Sequence, residues 1–589
     1  MSKRDRTKTS SSSGRGVLIA VGVIVGALLL CSVTMALAGV WLFPFFSDND
    51  AETPQGQSAG WSPTSAELTI AASPLMAQTL SQLADDFNRQ GAKTPDGQTM
   101  RVVVSPLDPR AMVEEALRAP TFQAMSPDSG IWLDRLEQQW AERTGGASTD
   151  GQMPIAQART SEQLRYAVSP IVIAAWESVA KELGWPDEEI GWQDIQELGI
   201  QDSDFKWSHP STQHASGLLA TLAEFYAGAG VTRGLTVETA TDPKTLEYVQ
   251  GIESTVRFYG EGEDVVVERL AREGDSFLDA FVAQERVVLD WNRSQSGDRL
   301  VAIYPKEGSF WADHPLALLE LGRGGDEVAV TNNQRLTYRA FADFLGSADA
   351  QQQLLASGYR PADLTIPLET PGSPFAATDA VDWRQPQTTL QIPSPAVVEI
   401  VLDAWYYTKR PTNVYLVVDT SGSMEGSKLE RAKEALTAFI EQIRGERDQV
   451  GLVEFGAGIK DAVTLRPMND ANRNDLAGRI QNMEANGGTA LFDAVYVAAR
   501  DLLGRDDAGA IDALVVMTDG LENQSETDLG DLQSLLAQAR PAPVIFTIAF
   551  GEDADESALT QIADIGGGQF RRASETNLEE LYRIISTYF

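Results

Sequence analysis

The sequence predicts an α/β protein: a two-lobed α/β domain followed by a doubly wound, Rossmann-like C-terminal domain, both behind a single transmembrane helix. Three observations carry that expectation. From Glu67 onward, short β-type runs alternate with amphipathic helical runs. Towards the C-terminus, fully apolar strand-length runs alternate with helical stripes. Near the N-terminus, one long apolar stretch carries no charge at all.

A chain of 589 residues exceeds one ordinary hydrophobic core, so two or three domains are expected, and a 43% hydrophobic content gives them core material. Lys and Arg number 47 against 84 Asp and Glu, for a net charge of -37 spread along the chain. Nucleic-acid binding needs clustered basic residues, so that class is excluded. The single cysteine, Cys31, lies inside the apolar stretch, which leaves the rest of the chain without a disulfide or a thiolate metal site.

Val17 to Phe43 has no charged residue and exceeds the roughly 20 residues that span a bilayer core. Lys3, Arg4, Arg6, Lys8 and Arg15 precede it, while Asp48, Asp50 and Glu52 follow. The positive-inside bias therefore makes 1–16 a cytoplasmic tail and 17–43 a single-pass anchor in the cell membrane, with the later domains outside. A cleaved signal peptide is the alternative, with Ala36-Leu37-Ala38 as the small-residue site, but the length of the stretch favours an anchor. Residues 44–64 read as a stalk, with a random-coil span of about 25 Å.

Strand and helix then alternate: Leu68 to Ala72 and Leu75 to Phe87, Arg101 to Val104 and Ala111 to Leu117. The rhythm runs to a helix at Tyr338 to Ser357 and bounds a domain at 65–365. Pro367, Pro371, Pro374, Pro386, Pro393 and Pro395 mark 366–395 as an interdomain linker. Ser394-Pro395 starts a helix with a capping hydroxyl and a proline at the first position, and this helix leads into a domain at 396–589. Strands are expected at Val414 to Val418, Val450 to Glu454, Ala513 to Met517 and Val544 to Ala549, with helices between them.

The first of those strands ends in Asp419-Thr420-Ser421-Gly422-Ser423. Gly487-Gly488-Thr489 precedes a helix, and Thr518-Asp519-Gly520 follows the apolar run Leu514 to Met517. In a doubly wound sheet the carboxyl ends of central strands face the ligand crevice, so these segments would crowd hydroxyls and carboxylates into one place. Such a set, without His or Cys, suits a hard cation such as Mg²⁺. Taken singly, the residues also suit helix caps and an Asp-Gly turn; together they favour the metal.

In this order the residues resemble the metal-ion-dependent adhesion site of von Willebrand factor A domains. The resemblance implies that Ser421, Ser423 and Thr489 touch the ion, that Asp419 and Asp519 act beside them or through water, and that the cofactor is Mg²⁺, or Mn²⁺ or Ca²⁺. It further implies a protein partner that offers an exposed Asp or Glu, for adhesion or complex assembly.

Residues 65–365 are similar to periplasmic solute-binding proteins that capture oxyanions, metals and small organic solutes, and bacterial origin follows only from that likeness. It rests on Ala71-Ala72-Ser73-Pro74, Tyr166 to Pro170, Phe205 to Pro210, Ser216-Gly217 and Val301 to Pro305. It implies Ser73, Ser216 and Tyr304 as solute contacts, with plain N-capping as the alternative. Trp207, Trp291 and Trp311 read as core or cleft residues. The histidines His209, His214 and His314 have no zinc-ligand spacing, and His209 with His214 reads as loop. No nucleophile elbow, P-loop or zinc-protease motif is present, so a binding protein is expected rather than an enzyme. The alternative function is a solute receptor of a transport system, with the C-terminal domain as its docking module.

Overall fold

The computed structural model describes residues 61–144, 158–260, 262–294, 297–322, 328–505, 509–537 and 542–588. The tail at 1–16, the apolar span at 17–43 and nearly all of the stalk lie outside the described residues. Among the described residues no helix is long and apolar enough to cross a membrane.

The first lobe is a sheet of β1 (Glu67–Ala72), β2 (Arg101–Pro106), β3 (Ala124–Ser126) and β4 (Thr160–Arg165), joined late in the chain by β11 (Pro315–Leu319), in the order β2-β1-β3-β11-β4. The chain crosses on β5 (Ala167–Trp176) into a second sheet with β6 (Trp207–Pro210), β7 (Val256–Gly260), β8 (Ala280–Gln284), β9 (Leu300–Ile303), β10 (Trp311–Ala312) and β12 (Arg360–Pro361). Its order is β10-β5-β8-β6-β7, with β9 and β12 also paired to β5. The helices follow from spacing. Pro74–Arg89 has a proline in its first turn, where no N–H is needed, and buries Met76, Leu80, Leu83 and Phe87 along one stripe. The expected helix from Tyr338 to Ser357 is two helices, Asn332–Leu345 and Ala348–Ala356. The break has a local cause: Ser347 caps the second helix by accepting from the Ala350 N–H at 3.3 Å.

The C-terminal sheet comprises β13 (Thr412–Asp419), β14 (Gln449–Phe455), β15 (Ile459–Pro467), β16 (Ile511–Thr518), β17 (Val544–Phe550) and β18 (Phe570–Ala573), in the order β15-β14-β13-β16-β17-β18. All pairs are parallel except β14 with β15. From β13 the chain goes to β14 on one side and later to β16 on the other. The strand order therefore reverses beside β13, and its carboxyl end opens a crevice. Successive side chains of β13 serve opposite faces. Tyr415 and Val417 pack with Leu491, Ala494 and Ile562. Val414, Leu416 and Val418 belong to a core that continues into the solute-binding-like lobes.

That shared core joins the two expected domains. Helix Pro395–Thr408 does not merely lead into the last domain: Trp405 meets the ring of Tyr259 edge-on at 5.1 Å. Tyr588, near the C-terminus, lies 6.0 Å from Phe258 of β7. The segment 366–395, expected as an interdomain linker, packs as a strap: Phe375, Val381 and Leu390, the apolar residues between its prolines, are buried. Its backbone is tied down as well, with Leu390 N donating to Ser309 O at 3.0 Å and Ala302 N to Ala380 O at 2.8 Å. Ala59–Phe589 accordingly forms one compact unit.

Candidate functional site

Asp419 ends β13 and is fully buried. Its Oδ1 accepts from the Ser421 N–H at 2.7 Å and its Oδ2 from the Thr518 hydroxyl at 2.5 Å. Burial pushes its carboxyl above the usual range, the Thr518 and Ser421 hydrogen bonds oppose that, and the Asp519 carboxylate adds to it. Ser421 and Ser423 hydroxyls lie 2.9 Å apart, and Ser423 donates to Asp519 Oδ1 at 2.6 Å. Asp419, Ser421, Thr489 and Asp519 are buried whereas Ser423 is exposed, so the crevice opens on the Ser423 side.

Three loops hold these groups in place. Gly487 takes φ +83°, a conformation that favours glycine, and its carbonyl accepts from Gly422 N at 3.0 Å. Thr489 N donates to Asn523 Oδ1 at 3.1 Å, and Thr489 O accepts from Asn523 N at 3.1 Å. Gly520 leaves the space in which the oxygens meet. A Cβ there would lie 3.1 Å from Thr489 Oγ1, 3.5 Å from Ser423 Oγ and 4.0 Å from Asp419 Oδ2. Three oxygens from two of these loops thus converge on one small gap at the third, beside Ser421 and Asp519. That donor set and that gap fit a hard divalent ion. All five residues named from the sequence stand together.

One neighbour was not foreseen. Lys428, in the first turn of helix Ser427–Gln442, places its Nζ 2.6 Å from Asp519 Oδ2 and is about a quarter exposed (27%). A lysine at that point matches no motif, and only the fold aims it at the crevice.

The other sequence candidates divide. Ser73 and Ser216 line one cavity of about 270 Å³, which Arg583 and Thr587 of the C-terminal domain also line. The N-capping alternative fails for Ser73, whose side chain makes no cap hydrogen bond and whose Oγ is buried without a partner among the described residues. Among the described residues Asp128 Oδ1 and Glu263 Oε2 are likewise buried without partners, and both residues line the cavity. Tyr304 is placed elsewhere: its hydroxyl donates to Glu285, which is held by the Arg360 guanidinium. Trp207 and Trp291 are core residues, and Trp311 donates to Thr389 at 3.1 Å. His209 is not in a loop but on β6, fully buried, with Nε2 3.4 Å from Glu253 Oε2.

Comparison with known proteins identifies two domains. Residues 413–584 match the model of the von Willebrand factor type A domain, and residues 68–360 match that of the bacterial extracellular solute-binding protein. The chain therefore carries an A domain behind a solute-binding domain.

Among particular relatives, the inter-alpha-trypsin inhibitor heavy chain H4 of Homo sapiens is 28% identical over 30% of this chain, which spans 20% of that relative's length. The Sus scrofa heavy chain H4 is 31% identical, again with 20% of its length covered. An uncharacterized protein of Mycobacterium tuberculosis is 22% identical over 98% of this chain and 84% of its own. Similar solved structures include a von Willebrand factor type A protein from Catenulispora acidiphila (24% identity, TM-score 0.28, 30% of this chain and 42% of that one). Another is the sulfate-binding protein SubI of Mycobacterium tuberculosis (17%, TM-score 0.35, 51% and 88%).

Proposed function

We propose that the protein is a membrane-anchored, extracytoplasmic binding protein whose A domain uses a divalent ion, Mg²⁺ first, to engage an acidic side chain of a partner protein. The observation that carries this reading is the convergence of Thr489, Ser423 and Asp419 oxygens on the gap beside Gly520. Ser421, Ser423 and Thr489 would hold the ion, with Asp419 and Asp519 beside them. When bound, the ion supplies a coordination position that a carboxylate can fill, a local attraction on a molecule of charge -37. The chain's own part is positional. Thr518 and the Ser421 N–H fix both oxygens of Asp419, and Ser423 fixes one oxygen of Asp519. Leu521, two residues after Asp519 and 61% exposed, would offer a partner an apolar contact.

The test is binding of immobilised whole chain to peptides that differ only by Asp, Glu, Asn or Gln at one position, in Mg²⁺ and in EDTA. Capture that needs both the ion and the carboxylate supports the reading. Capture indifferent to EDTA overturns it.

A second reading, solute reception, is favoured by the unpartnered Ser73 Oγ, Asp128 Oδ1 and Glu263 Oε2 in the cavity. The Ser73 hydroxyl can donate or accept, but the two carboxyl groups put acceptor oxygens and latent negative charge in the cavity, which suits a ligand that brings hydrogen-bond donors or positive charge better than the oxyanion that serines before helices suggest. Protection from thermal unfolding by small amines or polyols, with none by sulfate or phosphate, is the expected outcome; the reverse selectivity overturns it.

A further inference from the structure

Outside both sites, three buried hydrogen-bond acceptors face one another. His209 lies on β6, Glu224 in the middle of helix Ala215–Ala229, and Glu253 at the end of helix Pro243–Glu253, all fully buried. One nitrogen or oxygen from each lies within 4.8 Å of the others. His209 Nδ1 sits 2.8 Å from the Pro210 carbonyl, which can only accept, so Nδ1 carries the proton and Nε2 turns a lone pair towards the carboxylates. Glu253 receives two donors, Trp405 Nε1 at 2.5 Å on Oε1 and the Tyr259 hydroxyl at 2.8 Å on Oε2. Neither oxygen of Glu224 meets a hydrogen-bond donor among the described residues; its polar neighbour is the Glu253 carboxylate, close enough to share a proton with it.

Two carboxylates and an imidazole lone pair with no cation among them are costly to bury. A proton on Nε2 answers Glu253 and leaves Glu224 bare. A proton on Glu224 answers Glu253 and leaves the imidazole facing an acceptor. One divalent cation answers all three and cancels both charges. The geometry is close to what that needs. The 3.4 Å between His209 Nε2 and Glu253 Oε2 equals the separation, about 3.4 Å, of two ligands each about 2.1 Å from a tetrahedral ion. A mixed imidazole and carboxylate set in a fully buried site favours an ion that sheds water readily, zinc before magnesium.

We propose that His209, Glu224 and Glu253 form a structural zinc site, separate from the crevice at Asp419. Its surroundings tie the two domains. Trp405 belongs to the helix that enters the A domain, and the Tyr259 hydroxyl that orients Glu253 accepts from Arg410 N at 2.8 Å. This proposal stands whether or not the A domain binds Mg²⁺.

The test is metal content, by mass spectrometry, of the whole chain folded with zinc and then desalted, as wild type, Asp419→Ala, His209→Ala and Glu224→Gln. The expected result is one equivalent of zinc in wild type and in Asp419→Ala, falling at least tenfold in His209→Ala and in Glu224→Gln. Cobalt substitution of the wild type, which depends on no variant folding, should give the visible absorption of a tetrahedral Co²⁺ site. Folded wild type without zinc or a cobalt spectrum overturns the proposal and leaves a shared proton in the cluster. Zinc undiminished in a folded Glu224→Gln overturns it as well.

Discussion

The ammonium of Lys428 lies 2.6 Å from the Oδ2 of Asp519, whose other oxygen accepts from Ser423. A tethered cation thus occupies one side of a group of oxygens suited to a free one. Its charge steadies Asp519 in the absence of an ion and opposes the arrival of one. Lys428→Met is therefore expected to bind Mg²⁺ more tightly, by something on the order of tenfold, or about 1.4 kcal/mol. Paired titrations of the two proteins check this, and weaker binding by the variant would mean that the lysine assists the ion.

Gly520→Ala tests the gap directly. The added methyl would stand 3.1 Å from Thr489 Oγ1 and 3.5 Å from Ser423 Oγ, in the space where the oxygens converge. The expected outcome is loss of Mg²⁺ binding with the circular dichroism spectrum and the unfolding temperature in EDTA nearly unchanged. Full Mg²⁺ affinity in the variant would place the ion elsewhere.

Which of these features the sequence revealed depends on how each is built. β13, β14, β16 and β17 are buried on both faces and read as unbroken apolar runs, whereas half-exposed β15 and short β18 gave no such signal. The five crevice residues were legible because Asp419 and Asp519 stand at strand ends, the others lie in the loops around them, and their order resembles a known motif. Lys428 was not, since it reaches back from a helix, and Tyr304 was misplaced because nothing local tells that its hydroxyl turns to Glu285. Glu224 and Glu253 lie on two different helices, far in sequence from His209, so no spacing rule could join them. The strap at 366–395 was masked by its prolines, though Phe375, Val381 and Leu390 bury themselves between them.

Glu263 gives the cavity a pH dependence. Burial raises its carboxyl from 4.5 to about 7, against the opposing pull of Ser216. The folded state holds this proton more tightly than the unfolded chain does. Its contribution to stability is therefore complete below pH 4.5 and is lost as pH rises towards about 7, roughly 3 kcal/mol in all. Glu263→Gln should remove that slope, so its unfolding temperature relative to wild type climbs between about pH 5 and about pH 8. A constant difference across that range would contradict the assignment.

The pair Lys409 and Asp448, 2.8 Å apart with side chains 1% and 3% exposed, sits where the chain enters β13. Asp448 Oδ1 also accepts from the Thr412 N–H at 3.0 Å. Removing one partner strands a buried charge, so Lys409→Met is expected to cost about 3–5 kcal/mol in urea unfolding. The double variant with Asp448→Leu should recover much of that loss, and failure to recover would point to lost packing instead.

The most direct test of the metal-dependent reading is calorimetric titration of Mg²⁺ into the whole chain, wild type beside Asp419→Ala. Saturable one-to-one binding that disappears in the variant is the expected result. No binding by the folded wild type, or equal binding by the variant, would contradict it and leave the crevice as caps and turns.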